Sequence, residues 1–364
     1  MVWGLFRRGS RTPGVASIKP FAVEITVAAN QSVLQAALDA GLDFPHSCKV
    51  GTCTMCRCRL TAGRVKVIRD FSYVLSAAEI KDGYILACQS KVRPGDHISL
   101  EVELESDRPR FPVSCIAGVI AEIRELTHDI RELHVRLERP MLYAAGQYAS
   151  LRPLHLERAR DFSFAAALGA DGGSDLTFYV RHAPGGGFTD WLFRTAKVGE
   201  ALMVEGPLGD FWMRRSPAPL LFVAGGSGLA PIRALLEETV RGDGAAREAM
   251  FLFGARTQRD LYDLDAMAEI AARWRGDFNF VPVLSDEPPT SDWPGARGLV
   301  TELISAARFP HLDSCHAYLC GPPRMIDAAL PILSRAGVPH AHIHYDKFLD
   351  ASGLTGRLTL DHPG

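Results

Sequence analysis

The sequence predicts a multidomain chain of mixed α+β and α/β class in three parts: a small N-terminal α+β domain, an antiparallel β-barrel and a doubly wound parallel sheet. Three observations predict it. The chain has 364 residues, more than one hydrophobic core usually organises. Between about residues 114 and 214, short runs alternate apolar and polar residues between turn formers, as antiparallel strands do. From about residue 218, continuous apolar runs alternate with amphipathic segments, the pattern of parallel strands buried on both faces and joined by helices.

Composition fits an ordinary globular protein. Hydrophobic residues make up 47%, charged residues 23%, and the net charge is −2, which gives no sign of a nucleic-acid binder or a disordered tail. The start "MVWGLFRRGSRTPG" is too short in apolar residues for a signal segment, and no later run approaches a membrane span. A cytoplasmic location is therefore expected, and there the eight cysteines serve in metal binding, catalysis or burial rather than disulfides.

In the first domain, "AVEITVAA" alternates Val23, Ile25 and Val27 as a half-buried strand. Ser32 and Gln35 form a capping-box pattern before the helix "VLQAALDA", and Gly41 suits its C-terminal cap. The loop "CKVGTCTMC" follows. With Cys88 of "LACQS" it spaces Cys48, Cys53, Cys56 and Cys88 as C-x4-C-x2-C-x31-C, the plant-type [2Fe-2S] spacing, and with its flanks it predicts a β-grasp ferredoxin. Zinc is the weaker reading, because only Cys53 and Cys56 make a C-x2-C knuckle. Gly51 lets backbone N–H groups approach the anionic sulfurs, and Ser47, Thr52 and Thr54 add hydroxyls. Cys58 is expected to be a buried thiol. "HISLEVELE" alternates Ile98, Leu100, Val102 and Leu104 as a further strand.

The charged, proline-bearing stretch "ESDRPRFP" reads as a linker. The domain boundaries expected are a tail at 1–18, ferredoxin at 19–105, linker at 106–113, barrel at 114–215, nucleotide domain at 216–348 and a tail at 349–364. In the barrel, "AGVIAEI", "IRELHVRL", "LTFYVRH" and "ALMVEGPL" are strands. In the nucleotide domain, "PLLFVAGG", "AMFLFGAR", "FVPVLSD" and "HAYLCGPP" are strands, with helices expected at "LAPIRALLEETV", "LYDLDAMAEIAARW", "LVTELISAARF" and "MIDAALPILSRAG". "AGGSGLAP" offers N–H groups at a helix N-terminus, an anion site by electrostatics. Taken alone it is equally a tight turn: Pro231 replaces the third glycine of the dinucleotide fingerprint, and no acidic residue ends the second strand to hold a ribose hydroxyl.

Together "FPHSCKVGTC", "PGQYASL", "RDFSF", "VRHAPGGGFTDWLF", "AGGSGLAPI", "FGARTQRDLYDLD", "VPVLSD" and "YLCGPPRMIDAA", in this order, resemble the ferredoxin-NADP reductase superfamily with an N-terminal plant-type ferredoxin, the architecture of reductase components of bacterial multicomponent oxygenases. The resemblance implies an NADH-dependent oxidoreductase of aromatic hydrocarbon catabolism, with FAD and a [2Fe-2S] cluster, serving a terminal di-iron or Rieske hydroxylase, itself in some cases membrane-bound. A deoxysugar dehydrase or other acceptor, and NADPH as coenzyme, are the alternatives.

It implies residue roles as well. Arg160 meets the FAD pyrophosphate, Phe162 packs along the flavin and Ser163 bonds near its N5. Gly186, Gly187 and Thr189 face the pyrophosphate, with Arg181 a further contact. Gly226, Gly228 and Pro231 form the dinucleotide loop, and Cys320, Gly321 and Pro322 the turn beside the nicotinamide. Phe348 covers the flavin, although the chain runs sixteen residues past it. Arg256 and Arg259 follow the second strand, where a cation suits an NADP phosphate, while "GARTQRDLY" resembles NADH users. In residues 19–105, ten Lys and Arg balance ten Asp and Glu. Lys49, Arg57, Arg59, Arg64, Lys66 and Arg69 gather near the thiol loop, either as a docking face for an acidic partner or as a solvated strand face.

Overall fold

The computed structural model describes residues 12–42, 44–46, 51, 54–72, 74–104, 108–169 and 172–348. The chain forms two compact units that divide between Arg108 and Pro109.

The first unit holds β1 (Gly14–Lys19), β2 (Val23–Val27), α1 (Val33–Asp39), β3 (Arg57–Ala62), β4 (Val65–Val67), α2 (Ala77–Lys81), β5 (Tyr84–Leu86), β6 (Ser90–Val92) and β7 (His97–Glu101). Five strands make one sheet in the order β2-β1-β7-β3-β5, and β4 and β6 make a separate ribbon. The N-terminal tail is thus shorter than the expected 1–18, since Gly14 already begins a strand that pairs with both β2 and β7. Its small residues hid it: only Ala16 and Ile18 are large enough to bury usefully, and Gly14 lies so close to Val92 that a Cβ would stand 2.4 Å from it.

Helix α1 forms because Val33, Leu34, Ala36 and Ala37 share a buried face. Ser32 accepts from the Gln35 N–H, but the Gln35 side chain reaches forward to Asp39 at 2.7 Å, so only half of the expected capping box forms. At the other end Gly41 adopts φ +74°. Its N–H bonds to Leu38 at 2.9 Å and the Leu42 N–H to Ala37 at 3.0 Å, a complete Schellman closure. The alternation after His97 stops at Val102, for Leu104 is exposed.

The second unit begins with six antiparallel strands: β8 (Ser114–Glu125), β9 (Ile130–Met141), β10 (Tyr148–Pro153), β11 (Arg160–Ser163), β12 (Gly173–Arg181) and β13 (Ala201–Leu208). Their order is β11-β10-β13-β8-β9-β12, and a bridge between Phe164 and Phe178 joins the two edges into a barrel. Leu133, Val135, Phe164, Phe178 and Leu202 fill it. Helix α3 (Gly187–Arg194) covers one end.

Next come β14 (Leu220–Gly225), α4 (Leu229–Arg241), β15 (Ala249–Ala255), α5 (Leu264–Arg273), β16 (Phe278–Leu284), β17 (Ala296–Arg297), β18 (His316–Gly321), α6 (Pro323–Arg335) and β19 (Ile343–Lys347). All strands are parallel, in the order β17-β16-β15-β14-β18-β19. Successive residues of β14 bury on opposite faces: Phe222 and Ala224 pack with α4 and α5, Leu221 and Val223 with α6. That period of two is what makes the strand read as a continuous apolar run.

The helix expected at "LVTELISAARF" is absent. Only a 3-10 turn, Val300–Leu303, forms there, and Val300, Leu303, Ile304 and Phe309 all pack into the core beside the sheet. Barrel and parallel sheet are joined by polar contacts: Tyr179 of β12 donates to Asp263, Arg233 of α4 bonds Tyr179, and Glu237 of α4 accepts from the Ala167 N–H at 3.0 Å.

Candidate functional site

In the first unit, Cys56 immediately precedes β3 and Cys88 sits in the 3-10 turn Ala87–Gln89 between β5 and β6. Pairing of β3 with β5 brings the two thiols together although 32 residues separate them: the Cys88 N–H donates to Cys56 Sγ at 3.4 Å. Gln89 Nε2 lies 3.6 Å from Cys88 Sγ. Gly51 has φ +89°, and a Cβ there would stand 2.6 Å from Cγ of Gln89, the neighbour of Cys88, a backbone and a spacing that suit glycine. Buried thiols with amide donors aimed at sulfur fit an iron–sulfur centre. Cys48 and Cys53, with Ser47, Lys49 and Thr52, lie outside the described residues. Cys58 faces the core as expected, its thiol pushed up to about 12 by burial and the neighbouring Cys88.

In the second unit, β11 carries Arg160, Phe162 and Ser163. Strand alternation sends Arg160 and Phe162 to one face and Asp161 and Ser163 to the other. Ser163 is buried. Phe162 packs on Phe188 at the start of α3, with ring centroids 4.8 Å apart. Arg160 donates to the Ala159 carbonyl at 2.8 Å and forms no ion pair among the described residues. The first turn of α3 has no side-chain cap, with Gly186 as its N-cap, and beside Gly187 the space is open. A first turn without a side-chain cap, a guanidinium without an ion pair and open room above glycine fit a diphosphate.

Two expectations change here. The Thr189 hydroxyl is committed to its own loop, donating to the Ala183 carbonyl at 2.9 Å and accepting from the Ala183 N–H at 3.2 Å, so it shapes the turn instead of facing an anion. Arg181 lies at the nucleotide cleft, bonded to Asp129 at 3.0 Å, with Nη1 3.5 Å from where a Cβ of Gly226 would be.

That cleft, of about 260 Å³, opens at the C-terminal ends of β14, β15 and β16, beside the point where strand order reverses between β14 and β18. Gly226, Arg181, Arg256 and Pro322 line it, as do Asp129, Asp260, Ser285 and Met325, which the sequence reading missed. The glycine loop and the Cys-Gly-Pro turn interlock. A Cβ on Gly228 would lie 2.2 Å from the Cys320 carbonyl, and one on Gly321, where φ is +142°, 2.9 Å from the Gly225 carbonyl. Tyr262 fixes the loop by donating to the Gly226 carbonyl at 2.9 Å. Pro231 is buried in the first turn of α4 and does not line the cleft, which limits it to starting the helix.

Cys320 is fully buried, and burial with Asp346 nearby holds its thiol well above the usual range, as a neutral group. Asp346 pairs with Cys320 in the register of β18 and β19. Burial and the charge of Asp161 push its carboxyl up to about 7. Its only sequence signal was a lone acid in the last strand. Phe348 bonds through its N–H to the Gly321 carbonyl at 2.9 Å and packs on the core beneath the loop. The segment 349–364 lies outside the described residues.

Comparison with known proteins finds three domain families along the chain. Residues 17–93 match the 2Fe-2S iron-sulfur cluster binding domain, 117–212 the oxidoreductase FAD-binding domain and 222–330 the oxidoreductase NAD-binding domain. The xylene/toluene monooxygenase electron transfer component of Pseudomonas putida is 36% identical over 332 residues, covering 91% of this chain and 93% of that protein. The reductase component of phenol 2-monooxygenase from Pseudomonas sp. strain CF600 is 33% identical, covering 94% and 98%. Among solved structures, an Amycolatopsis cytochrome P450 reductase aligns with a TM-score of 0.70 at 32% identity, covering 92% of this chain and 98% of that one. Matched by all three domain models and 36% identical to a relative over 91% of its length, the chain belongs to the ferredoxin–NAD(P) reductase family of iron–sulfur flavoproteins.

Proposed function

We propose that this chain is the NADH-dependent reductase component of a multicomponent oxygenase, passing electrons through FAD and a [2Fe-2S] cluster to a terminal hydroxylase. One observation carries the reading: a single chain holds the Cys56–Cys88 thiol pair and a nucleotide cleft lined by Gly225, Gly226 and Pro322 of the two interlocked loops. When bound, the flavin supplies the exchange between paired electrons from the nicotinamide and the single electrons that an iron–sulfur centre carries.

The chain's own residues hold and align these groups. Cys48, Cys53, Cys56 and Cys88 are assigned as the cluster ligands. Arg160 and the N-terminus of α3, with Gly186 and Gly187, hold the diphosphate, and Phe162 and Ser163 border the flavin ring. The Gly225–Gly228 loop and the Cys320–Pro322 turn set where the nicotinamide lies. Since hydride transfer depends on alignment more than on proton transfer, the interlocked backbone of these two loops is the positioning device. Ser163, Cys320 and Phe348 are the residues assigned to the reacting end. Relatives named as parts of xylene, phenol and propane monooxygenase systems support an oxygenase as the acceptor.

Electron delivery is assigned to the β4–β6 ribbon, which leads directly out of the Cys88 turn. In its register Lys66 stands opposite Lys91, an unfavourable like-charge pair. Arg64 and Arg93 flank them, and none of the four forms an ion pair among the described residues. Val67 and Ile68 beside them are each 44% exposed. Arg57 and Arg59 are not part of this face, being bonded to Glu79 and to the Asp82 carbonyl. The ribbon suits an acidic partner surface.

The test is an anaerobic NADH titration of the purified protein followed by absorbance and electron paramagnetic resonance. Bleaching of a flavin band together with a rhombic [2Fe-2S] signal is expected; lack of either chromophore in intact protein removes the proposal.

A further inference from the structure

We infer that Asp129, a residue of the barrel, sets the coenzyme choice of the nucleotide domain by neutralising Arg256. The inference rests on the NADH reading above and names the residue responsible for it. Strand β15 ends at Ala255 and is followed by Arg256, so the position where an acid commonly receives a ribose hydroxyl holds a cation instead. An unopposed guanidinium there would favour a 2′-phosphate.

It is opposed from two sides. Asp129, in the turn between β8 and β9, places Oδ2 3.5 Å from Arg256 Nη2, and Asp260 places Oδ1 3.3 Å from the same nitrogen. Asp129 is held in turn by Arg181 Nε at 3.0 Å and by the Thr127 hydroxyl at 3.0 Å. All four charged residues line the cleft. Two carboxylates balance two guanidiniums, and His128 stands within 4.0 Å of both carboxylates. A ribose with free hydroxyls can donate to these carboxylates, whereas a 2′-phosphate carrying nearly two negative charges must approach both of them to reach Arg256.

Asp129 is the member that can be changed without disturbing the turn that carries Arg256, and because its removal also releases Arg181, the Arg256→Ala background tells the two guanidiniums apart. The Asp260 carboxylate also accepts from the Thr257 N–H at 2.9 Å and the Thr257 hydroxyl at 2.7 Å, so neutralising it would disturb the turn that carries Arg256. Asp129 reaches Arg256 from another part of the chain, and an amide in its place can still accept from Thr127. Discrimination is therefore completed across the interface of the two nucleotide-handling domains, and no motif within the parallel-sheet domain reveals it.

The experiment compares purified protein carrying its flavin and cluster in four forms: unmodified, Asp129→Asn, Arg256→Ala, and the double variant. It measures kcat/KM for NADH and NADPH with ferricyanide, and binding of 2′,5′-ADP and 5′-ADP by calorimetry. The unmodified protein is expected to prefer NADH. Asp129→Asn should lower the NADH-to-NADPH ratio of kcat/KM at least tenfold and tighten 2′,5′-ADP at least fivefold, with a smaller change for 5′-ADP. In the double variant the gain should vanish. Asp129→Glu, retaining the charge, should keep the preference, and Asp129→Ser serves if the asparagine form loses flavin.

An unmodified protein that prefers NADPH would overturn the NADH reading and this inference with it. A protein that prefers NADH, with ratio and 2′,5′-ADP affinity unmoved in Asp129→Asn and Asp129→Ser, would overturn the inference alone.

Discussion

At Gly228 a single methyl group would fall 2.2 Å from the Cys320 carbonyl and 2.8 Å from the Gly321 Cα, with no flexible side chain on either side to yield. Gly228→Ala should therefore destabilise the parallel-sheet domain by roughly 1–3 kcal/mol and raise the KM for NADH. Thermal melting and steady-state kinetics check the two effects. Asp346 poses an opposite problem, a half-buried carboxyl that desolvation and the nearby charge of Asp161 keep from ionising easily. Its folded-state value of about 7 lies above the ordinary 3.8, so the folded protein holds this proton more tightly than the unfolded chain. Its stabilising contribution is full below about pH 4 and is lost as pH rises to about 7. Asp346→Asn should remove that decline and make the flavin-stripped protein more stable above pH 7 by roughly 2–4 kcal/mol at most, as read from denaturant melts across pH. Glycine and cysteine positions such as these were legible in the sequence because their chemistry is local. Asp129 and Asp346 were not, because each takes its meaning from a neighbour more than 100 residues away or on an adjacent strand.

Elements carry the next level of consequence. The first turn of α3 has no side-chain cap, and a Cβ at Gly187 would meet nothing within 4 Å, while at Gly186 it would meet Thr189 Oγ1 at 2.7 Å and the Ala183 carbonyl at 2.9 Å. Gly187→Ala should leave the melting of flavin-free protein within about 0.5 kcal/mol of the unmodified chain and yet weaken FAD binding severalfold, as followed by fluorescence titration. Gly186→Ala should impair both. For the β4–β6 ribbon, the double change Lys66→Glu and Lys91→Glu should slow reduction of an acidic one-electron protein acceptor at least fivefold at low salt and abolish the fall in rate with ionic strength. Unchanged salt dependence would count against the ribbon as the docking face. The longer strands were readable, from apolar alternation in the ferredoxin and barrel and from continuous apolar runs in the parallel sheet, whereas short strands such as β4, β5, β6 and β17 carry too few residues to show a period, and two further segments misled. β1 lacks large residues and was hidden, and "LVTELISAARF" carries a helical apolar pattern that the sheet absorbs through a 3-10 turn.

For the molecule as a whole, the division between Arg108 and Pro109 separates the thiol pair from the flavin and nucleotide residues. A fragment of residues 109–364 should therefore bind FAD and sustain NADH-dependent reduction of ferricyanide, while losing the iron–sulfur resonance and most one-electron transfer to a protein acceptor. Among the described residues no helix is long and apolar enough to cross a membrane. The sequence by itself determined the thiol spacing and the change from alternating barrel strands to a parallel sheet, because cysteine spacing and strand period are properties of contiguous residues, while the flavin strand and both glycine loops took their roles from the family resemblance. Only the tertiary structure decided that Arg181 and Asp129 of the barrel meet Arg256 at the nucleotide cleft, that Thr189 serves its own loop and that Asp346 lies beside Cys320. Those relations depend on which strand ends are brought within a few ångströms by packing, a distance that separation along the chain does not encode.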